Sequence, residues 1–200
     1  MTISLQEIQY SLPLKSPTKP EWTAIVLGDF HHFLADHASC ERKAHAAAMM
    51  LVNRFPEYPD LQDIMIGLAR EELEHFQQVV RLLRERNIPL GADEVDSYVK
   101  RLLTHVRHPR EEHILDRLMV VAMVEARSCE RFCMIADALP PGPLKTFYTE
   151  FARAEGTHFP LVLRAAKLLF PEKTVNERLG EWLAIESEIA QETPYQATVH

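Results

Sequence analysis

Apolar positions recur along this chain at the three- and four-residue spacing of a buried helix face, and prolines interrupt the rhythm in only a few places. From Pro20-Glu21-Trp22, where proline and acid suit a first turn, the pattern predicts a helix to about Arg54 with an inward stripe of Leu27, Leu34, Ala38, Glu41, Ala44, Ala48 and Leu51. Phe55-Pro56-Glu57-Tyr58-Pro59 stops it. A second helix is predicted from Asp60, a suitable cap, to about Arg86, with Met65, Leu68, Ala69, Glu72, His75, Phe76, Val79 and Leu83 on one face. Asp93 to about Val106 reads as a shorter amphipathic helix. A third long helix runs from about Arg110 to Ala138 and holds an apolar run, 118–124, that ends in Glu125. After Leu139-Pro140-Pro141-Gly142-Pro143, a fourth from about Leu144 to Phe170 aligns Tyr148, Phe151, Ala152, Glu155, His158, Phe159 and Val162, with Pro160 expected to kink it. A fifth, about Thr174 to Glu192, carries Leu179, Trp182, Leu183, Ile185, Glu186 and Ile189.

Helices one and two form one hairpin, and three and four another. The intervening segment is long enough to cross a bundle, at ~1.5 Å per helical residue and ~3.3 Å per extended one. The expectation is one all-α domain over residues 1–200: a four-helix bundle with one long crossover and an additional C-terminal helix packed outside it. Residues 1–19, with Pro13 and Pro17, are expected to be an irregular lead-in, and residues 193–200 a mobile tail. Only six glycines among 200 residues, and 46% hydrophobic content, agree with helices around a substantial core.

Two stripes are interrupted in the same way. Arg70-Glu71-Glu72-Leu73-Glu74-His75-Phe76 returns, loosened, as Arg153-Ala154-Glu155-Gly156-Thr157-His158-Phe159, and both hold Glu-x-x-His. Positions i and i+3 are neighbours on a helix, so each copy aims a carboxylate and an imidazole at one point. A single Glu-x-x-His is weak evidence, since both residues are common on solvated faces. Two copies, each with an upstream glutamate embedded in apolar sequence, match the four-glutamate, two-histidine pattern of dinuclear carboxylate sites.

Comparing the halves selects the remaining pair. Glu41 lies 15 residues before Pro56 and 31 before Glu72, while Glu125 lies 15 before Pro140 and 30 before Glu155. Ser39-Cys40-Glu41-Arg42 also looks like Ser128-Cys129-Glu130-Arg131, but that register shifts Glu130 by more than a turn and is rejected. Glu71 and Glu74 have Ala154 and Thr157 as counterparts and are expected to be solvated. His37 and His45 flank Glu41 by one turn and are expected to line a cavity or reach the surface, with outer-shell hydrogen bonding the alternative. His31, His32, His105, His108 and His113 are assigned to the surface.

Buried carboxylates in this number need cations. Oxygen-rich donors with two imidazoles suit iron or manganese, and the scarcity of thiolates disfavours iron-sulfur clusters and structural zinc. The net charge of −7 argues against a general nucleic-acid packager, although metal ligands account for four of the negative charges and leave room for a local basic patch. Three cysteines without framework spacing fit a reducing compartment, with Cys129 and Cys133 as core residues. Neither a basic and apolar leader nor a membrane-spanning run is visible, so a soluble cytoplasmic protein is the expectation. The donor set alone does not separate hydroxylation from ferroxidase, desaturase or peroxide-removing chemistry.

Four stretches carry a resemblance beyond these patterns: Ser16-Pro17-Thr18-Lys19-Pro20-Glu21-Trp22, Asp36-His37-Ala38-Ser39-Cys40-Glu41-Arg42-Lys43-Ala44, the motif from Arg70 to Phe76, and Glu125-Ala126-Arg127-Ser128-Cys129-Glu130-Arg131-Phe132. Together they resemble the bacterial tRNA 2-methylthio-N6-isopentenyl-adenosine hydroxylases over nearly the whole chain. The resemblance implies a ferritin-like di-iron monooxygenase that uses O2 and an external electron donor on a hypermodified adenosine beside the anticodon. It implies Glu41, Glu72, His75, Glu125, Glu155 and His158 as iron ligands. A tRNA anticodon loop needs cationic contacts, for which Arg81, Arg84, Arg86, Lys100, Arg101, Arg107, Arg110, Lys15 and Lys19 are candidates. A ferritin-like iron-handling protein without a tRNA substrate and a metal-free RNA-binding module are the competing expectations.

Overall fold

The computed structural model describes residues 4–200, and every regular element among them is a helix. In chain order these are α1 (Leu5–Ser11), α2 (Pro20–Gly28), α3 (Phe30–Arg54), α4 (Pro59–Glu85), α5 (Ser97–Thr104), α6 (Arg110–Ala138), α7 (Pro143–Glu155), α8 (His158–Leu169) and α9 (Glu172–Glu192). Helices α3 and α4 pack along each other as one hairpin, and α6 packs along α7 and α8 as the other. Contacts of α4 with α8 and of α3 with α6 close the ring. The result is a ferritin-like four-helix bundle whose halves are joined by the crossover carrying α5.

Two of the expected continuous helices are broken. The first divides at Gly28-Asp29, where Asp29 ends α2 and caps α3, its carboxylate accepting from the His32 amide. The break turns Leu27 outward, 42% exposed rather than in the stripe, while Trp22 and Val26 are fully buried. The other division falls at Gly156-Thr157, inside the second Glu-x-x-His, and not at Pro160. Pro160 is the third residue of α8, where a missing amide costs no helical bond. Gly156 has ordinary helical angles, and its value is space: a Cβ there would stand 3.1 Å from Ile8 Cγ2.

The chain ends are also more structured than expected. Residues 1–3 lie outside the described residues, but α1 forms with a capping box between Ser4 and Glu7 and packs on α6 and α7. Residues 193–200 are not a free tail. Ala197, Thr198 and Val199 are buried, the Trp22 indole donates to Thr198 O at 3.1 Å, the Val199 amide donates to Asp36 at 2.7 Å, and Arg131 donates to Val199 O at 2.6 Å.

Asp116 of α6 ties the crossover and α9 to the bundle. It accepts from the backbone and guanidinium of Arg107, from Arg178 and from the Trp182 indole, at 2.7–3.2 Å. Burial is the largest influence and works against its charge, yet the bonds from Arg107 and Arg178 outweigh it and hold the carboxyl at about 2. A folded pKa below the ordinary ~3.9 contributes stability that is complete above about pH 4 and is lost as pH falls through about 2. In acid titrations of unfolding free energy, Asp116→Asn is expected to flatten the dependence in that window and to lower stability at neutral pH.

Candidate metal centre

At the middle of the bundle the apolar core gives way to six side chains at one level. Glu41 comes from α3, Glu72 and His75 from α4, Glu125 from α6, Glu155 from the end of α7 and His158 from the start of α8. All six are buried. His75 Nδ1 stands 2.7 Å from Glu155, 3.7 Å from Glu72 and 3.7 Å from Glu41. His158 Nδ1 stands 2.8 Å from Glu72, 3.2 Å from Glu155 and 3.3 Å from Glu125. Donor atoms of Glu72, His75, Glu155 and His158 all lie within 4.8 Å of one another. The structure thus brings together all six residues selected from the sequence, and the break at Gly156-Thr157 does not separate Glu155 from His158.

Proximity here is not the same as hydrogen bonding. His75 Nδ1, Glu72 Oε1 and Glu155 Oε1 have no hydrogen-bond partner although all three are buried. Buried polar atoms are nearly always satisfied, so lone pairs that converge without bonding one another mark a place built for a cation.

Electrostatics point the same way. Burial foremost, then the carboxylates of Glu155, Glu72 and Glu125, pushes the Glu41 carboxyl well above the usual range. Burial and Glu72 raise Glu125 to about 8. Burial opposes charge on His75, but the neighbouring Glu155 and Glu72 prevail and raise it to about 10. His158 moves in the same direction, burial again being outweighed by Glu155 and its neighbours. Without a cation, then, protons on Glu41, Glu125 and the two imidazoles offset the negative charge of the cluster, and binding of a metal would displace them.

An outer layer orients these donors. Glu71 was expected to be solvated, and its side chain is 45% exposed, but its carboxylate accepts from His158 Nε2 at 3.2 Å. A buried imidazole that presents one nitrogen inward needs an acceptor for the other; that requirement was the available signal, and comparison with Ala154 hid it. His37, fully buried, sits behind Glu41 with Nε2 at 3.1 Å and pairs through Nδ1 with the Tyr148 hydroxyl at 3.1 Å. Burial pushes its pKa down to about 3, so it is neutral. His45 instead pairs with Ala69 O, 2.7 Å away.

A cavity of about 290 Å³ leads from the surface between α3, α5 and α6 to Glu41, Glu72, Glu125 and Glu155. Its walls are Ala44, Ala47, Val99, Val120, Val121 and Val124. At one side of the mouth, His200 pairs with Asp96 at 2.9 Å and with Ser128 at 2.8 Å. Glu130, rejected above, faces away from the centre and binds Thr18 and Arg127.

With this geometry in view, comparison with known proteins is informative. The family model described as tRNA-(MS[2]IO[6]A)-hydroxylase (MiaE) matches residues 5–200. The chain belongs to this family. It is 33% identical over 187 residues to the tRNA 2-(methylsulfanyl)-N(6)-isopentenyladenosine(37) hydroxylase of Pseudomonas putida, a match covering 94% of this chain and 91% of that protein. The Salmonella typhimurium protein of the same name is 38% identical over 112 residues, covering 56% of this chain and 41% of that protein. Among solved structures, a Synechococcus protein with aldehyde deformylating oxygenase activity superposes with a TM-score of 0.87 at 32% identity, covering 94% of both chains.

For this hydroxylase family member, Glu71→Ala is expected to reduce metal affinity or turnover by about 10- to 100-fold, the range seen when an outer-shell partner is removed. The fold should be intact, because Glu71 is half exposed. Metal titration and circular dichroism of the variant check both halves of the expectation.

None of the nine cations named from the sequence lines the cavity. Arg101, Arg107 and Arg110 pair with Glu192, Asp116 and Glu57, Lys15 donates to Gly180 O, and Arg81 donates to Gln77. The cations that line it are Lys43 and Arg117, neither of which periodicity singled out.

Proposed function

We propose that this protein hydroxylates the isopentenyl group of 2-methylthio-N6-isopentenyl-adenosine in tRNA, beside the anticodon. The reading adds that Glu41, Glu72, His75, Glu125, Glu155 and His158 hold two iron ions and that the protein works in the cytoplasm, where tRNA is. The observation that carries it is a narrow cavity with hydrocarbon walls ending on a buried cluster of metal donors, in a chain belonging to a tRNA hydroxylase family. The residues fit the metal: their unpartnered lone pairs are hard oxygen and imidazole nitrogen donors, suited to iron.

Two reduced irons supply what side chains lack, electrons for the activation of O2 to the point where it oxidises an unactivated C–H bond. One oxygen atom enters the new C–O bond and the other leaves as water, so each turnover takes two electrons and two protons from outside. An external electron donor is therefore part of the reading. The chain's own contribution is positional. Val120, Val121 and Val124 on α6, with Ala44 and Ala47 on α3, bind the prenyl group and exclude water. Glu71 holds His158, and His37, paired with Tyr148, backs Glu41.

The cavity weighs against an iron-handling role, which needs a path for ions and not one walled by valine. The test is to mix the iron-loaded, reduced protein with tRNA carrying the isopentenyl modification and O2. A gain of one oxygen atom per modified adenosine by mass spectrometry is expected. O2 consumption without that gain, or turnover of an aldehyde but not of tRNA, overturns the reading.

A further inference from the structure

Among the residues lining the cavity is a cation whose charge no described residue answers. Arg117 lines the cavity from α6, about two helical turns from Glu125. It is half-buried, and among the described residues it makes no hydrogen bond or ion pair. Burial disfavours its charge, and Arg54 adds like-charge repulsion. Lys43, the other cation there, is already engaged, donating to Glu94 O at 2.9 Å. A desolvated guanidinium left unpaired on the wall of a site is a place for an anion, and arginine suits phosphate because its planar fork matches two oxygens.

Its position fixes which anion. Arg117, Val121, Val124, Glu125 and Ser128 recur at helical spacing, so one stripe of α6 runs from Arg117 past the apolar wall to Glu125 of the donor cluster. Eight residues at ~1.5 Å each place Arg117 about 12 Å from Glu125 along the helix. With the prenyl group among the valines and reaching toward the carboxylates, the adenine and its sugar-phosphate lie farther along the stripe, toward Arg117.

We infer that Arg117 is the phosphate anchor of the modified nucleotide, selecting a polynucleotide over a free nucleoside and setting how deep the prenyl group reaches. The inference rests on the hydroxylase reading above and adds a specificity determinant to it.

The experiment compares wild type, Arg117→Gln and Arg117→Lys on an isopentenyl-modified anticodon stem-loop and on the free modified nucleoside, across a salt series. For Arg117→Gln, KM for the stem-loop is expected to rise about tenfold with kcat changed far less. Its slope of log(kcat/KM) against log[salt] should shrink by about one, the signature of one lost phosphate contact. The fall in kcat/KM should be about tenfold larger for the stem-loop than for the nucleoside, and Arg117→Lys should recover part of it. Equal losses on both substrates, or an unchanged salt slope, overturn the anchor. If Arg117→Gln fails to fold, Arg117→Lys decides: a point charge without the fork should raise KM for the stem-loop, and wild-type behaviour counts against the proposal. Absence of turnover in wild type sinks the hydroxylase reading instead, whereas normal wild-type turnover with an indifferent Arg117→Gln sinks only the anchor.

Discussion

Glu41→Gln is expected to leave the metal-free protein about as stable as wild type while removing its chemistry. Burial and three neighbouring carboxylates favour the neutral form of Glu41 when no cation is present, and glutamine has the same shape without the charge. Unfolding of the metal-free chain should therefore change far less than the stability that bound metal contributes. What glutamine cannot supply is a negative donor to a bound cation. Iron per chain should fall, the rise in melting temperature produced by metal should shrink, and turnover should drop by more than about 100-fold, beyond the range for an outer-shell residue such as Glu71. Calorimetry with and without iron, beside single-turnover mass spectrometry, separates the two effects. Full iron content and turnover in this variant would remove Glu41 from the proposed ligand set.

The largest stability effect is expected elsewhere. Arg127→Ala should destabilise the protein by about 3–5 kcal/mol, the cost of breaking a buried charge network by removing one member. Arg127 is 1% exposed. It donates to Glu186 at 2.6 and 2.9 Å, to Glu130 at 2.6 Å, to the Thr18 hydroxyl at 3.0 Å and to Ser16 O at 3.0 Å. Burial disfavours its charge, but Glu186 and Glu130 more than compensate and hold it firmly protonated. Removing the guanidinium strands two buried carboxylates, and Glu186 Oε2 already lacks a partner. Urea unfolding measures the loss. Adding Glu186→Leu should restore part of it, since the double variant no longer buries that unpaired charge. A loss below about 1 kcal/mol would mean that the network is dispensable.

The bundle and the six central residues were legible because each is written in periodicity. A carboxylate or imidazole in an apolar stripe stands out, and the duplicated hairpin gave Glu41 and Glu125 a common height. What escaped was set by contacts distant in sequence. The Ser4-x-x-Glu7 start of α1 was readable but short, while residues 16–18 and the last eight carry no helical period, and Glu130, Arg127, Arg131 and Asp36 tie down Ser16, Thr18 and Val199. Glu71 looked solvated because its partner, His158, lies 87 residues away. The break at Asp29 was readable in principle, since Gly28-Asp29 is an end signal followed by a cap, but the stripe on either side masked it. The need for glycine at 156 was not readable, since Ile8, which a Cβ there would crowd, is connected to it by no local pattern. The cations of the cavity were missed because charge alone does not say which arginines are already paired.

The Arg127 hub also bears on how this chain tolerates shortening. A shorter variant cut after α8 would look reasonable on topology, since the four core rods remain. It would nonetheless strip Glu186 from the guanidinium and Arg178 and Trp182 from Asp116, and open to water the apolar face that Val175, Trp182, Leu183 and Ile189 cover. The outermost helix is in that sense a plug for the polar interior, and such a truncation is set up to aggregate rather than to yield a smaller working enzyme.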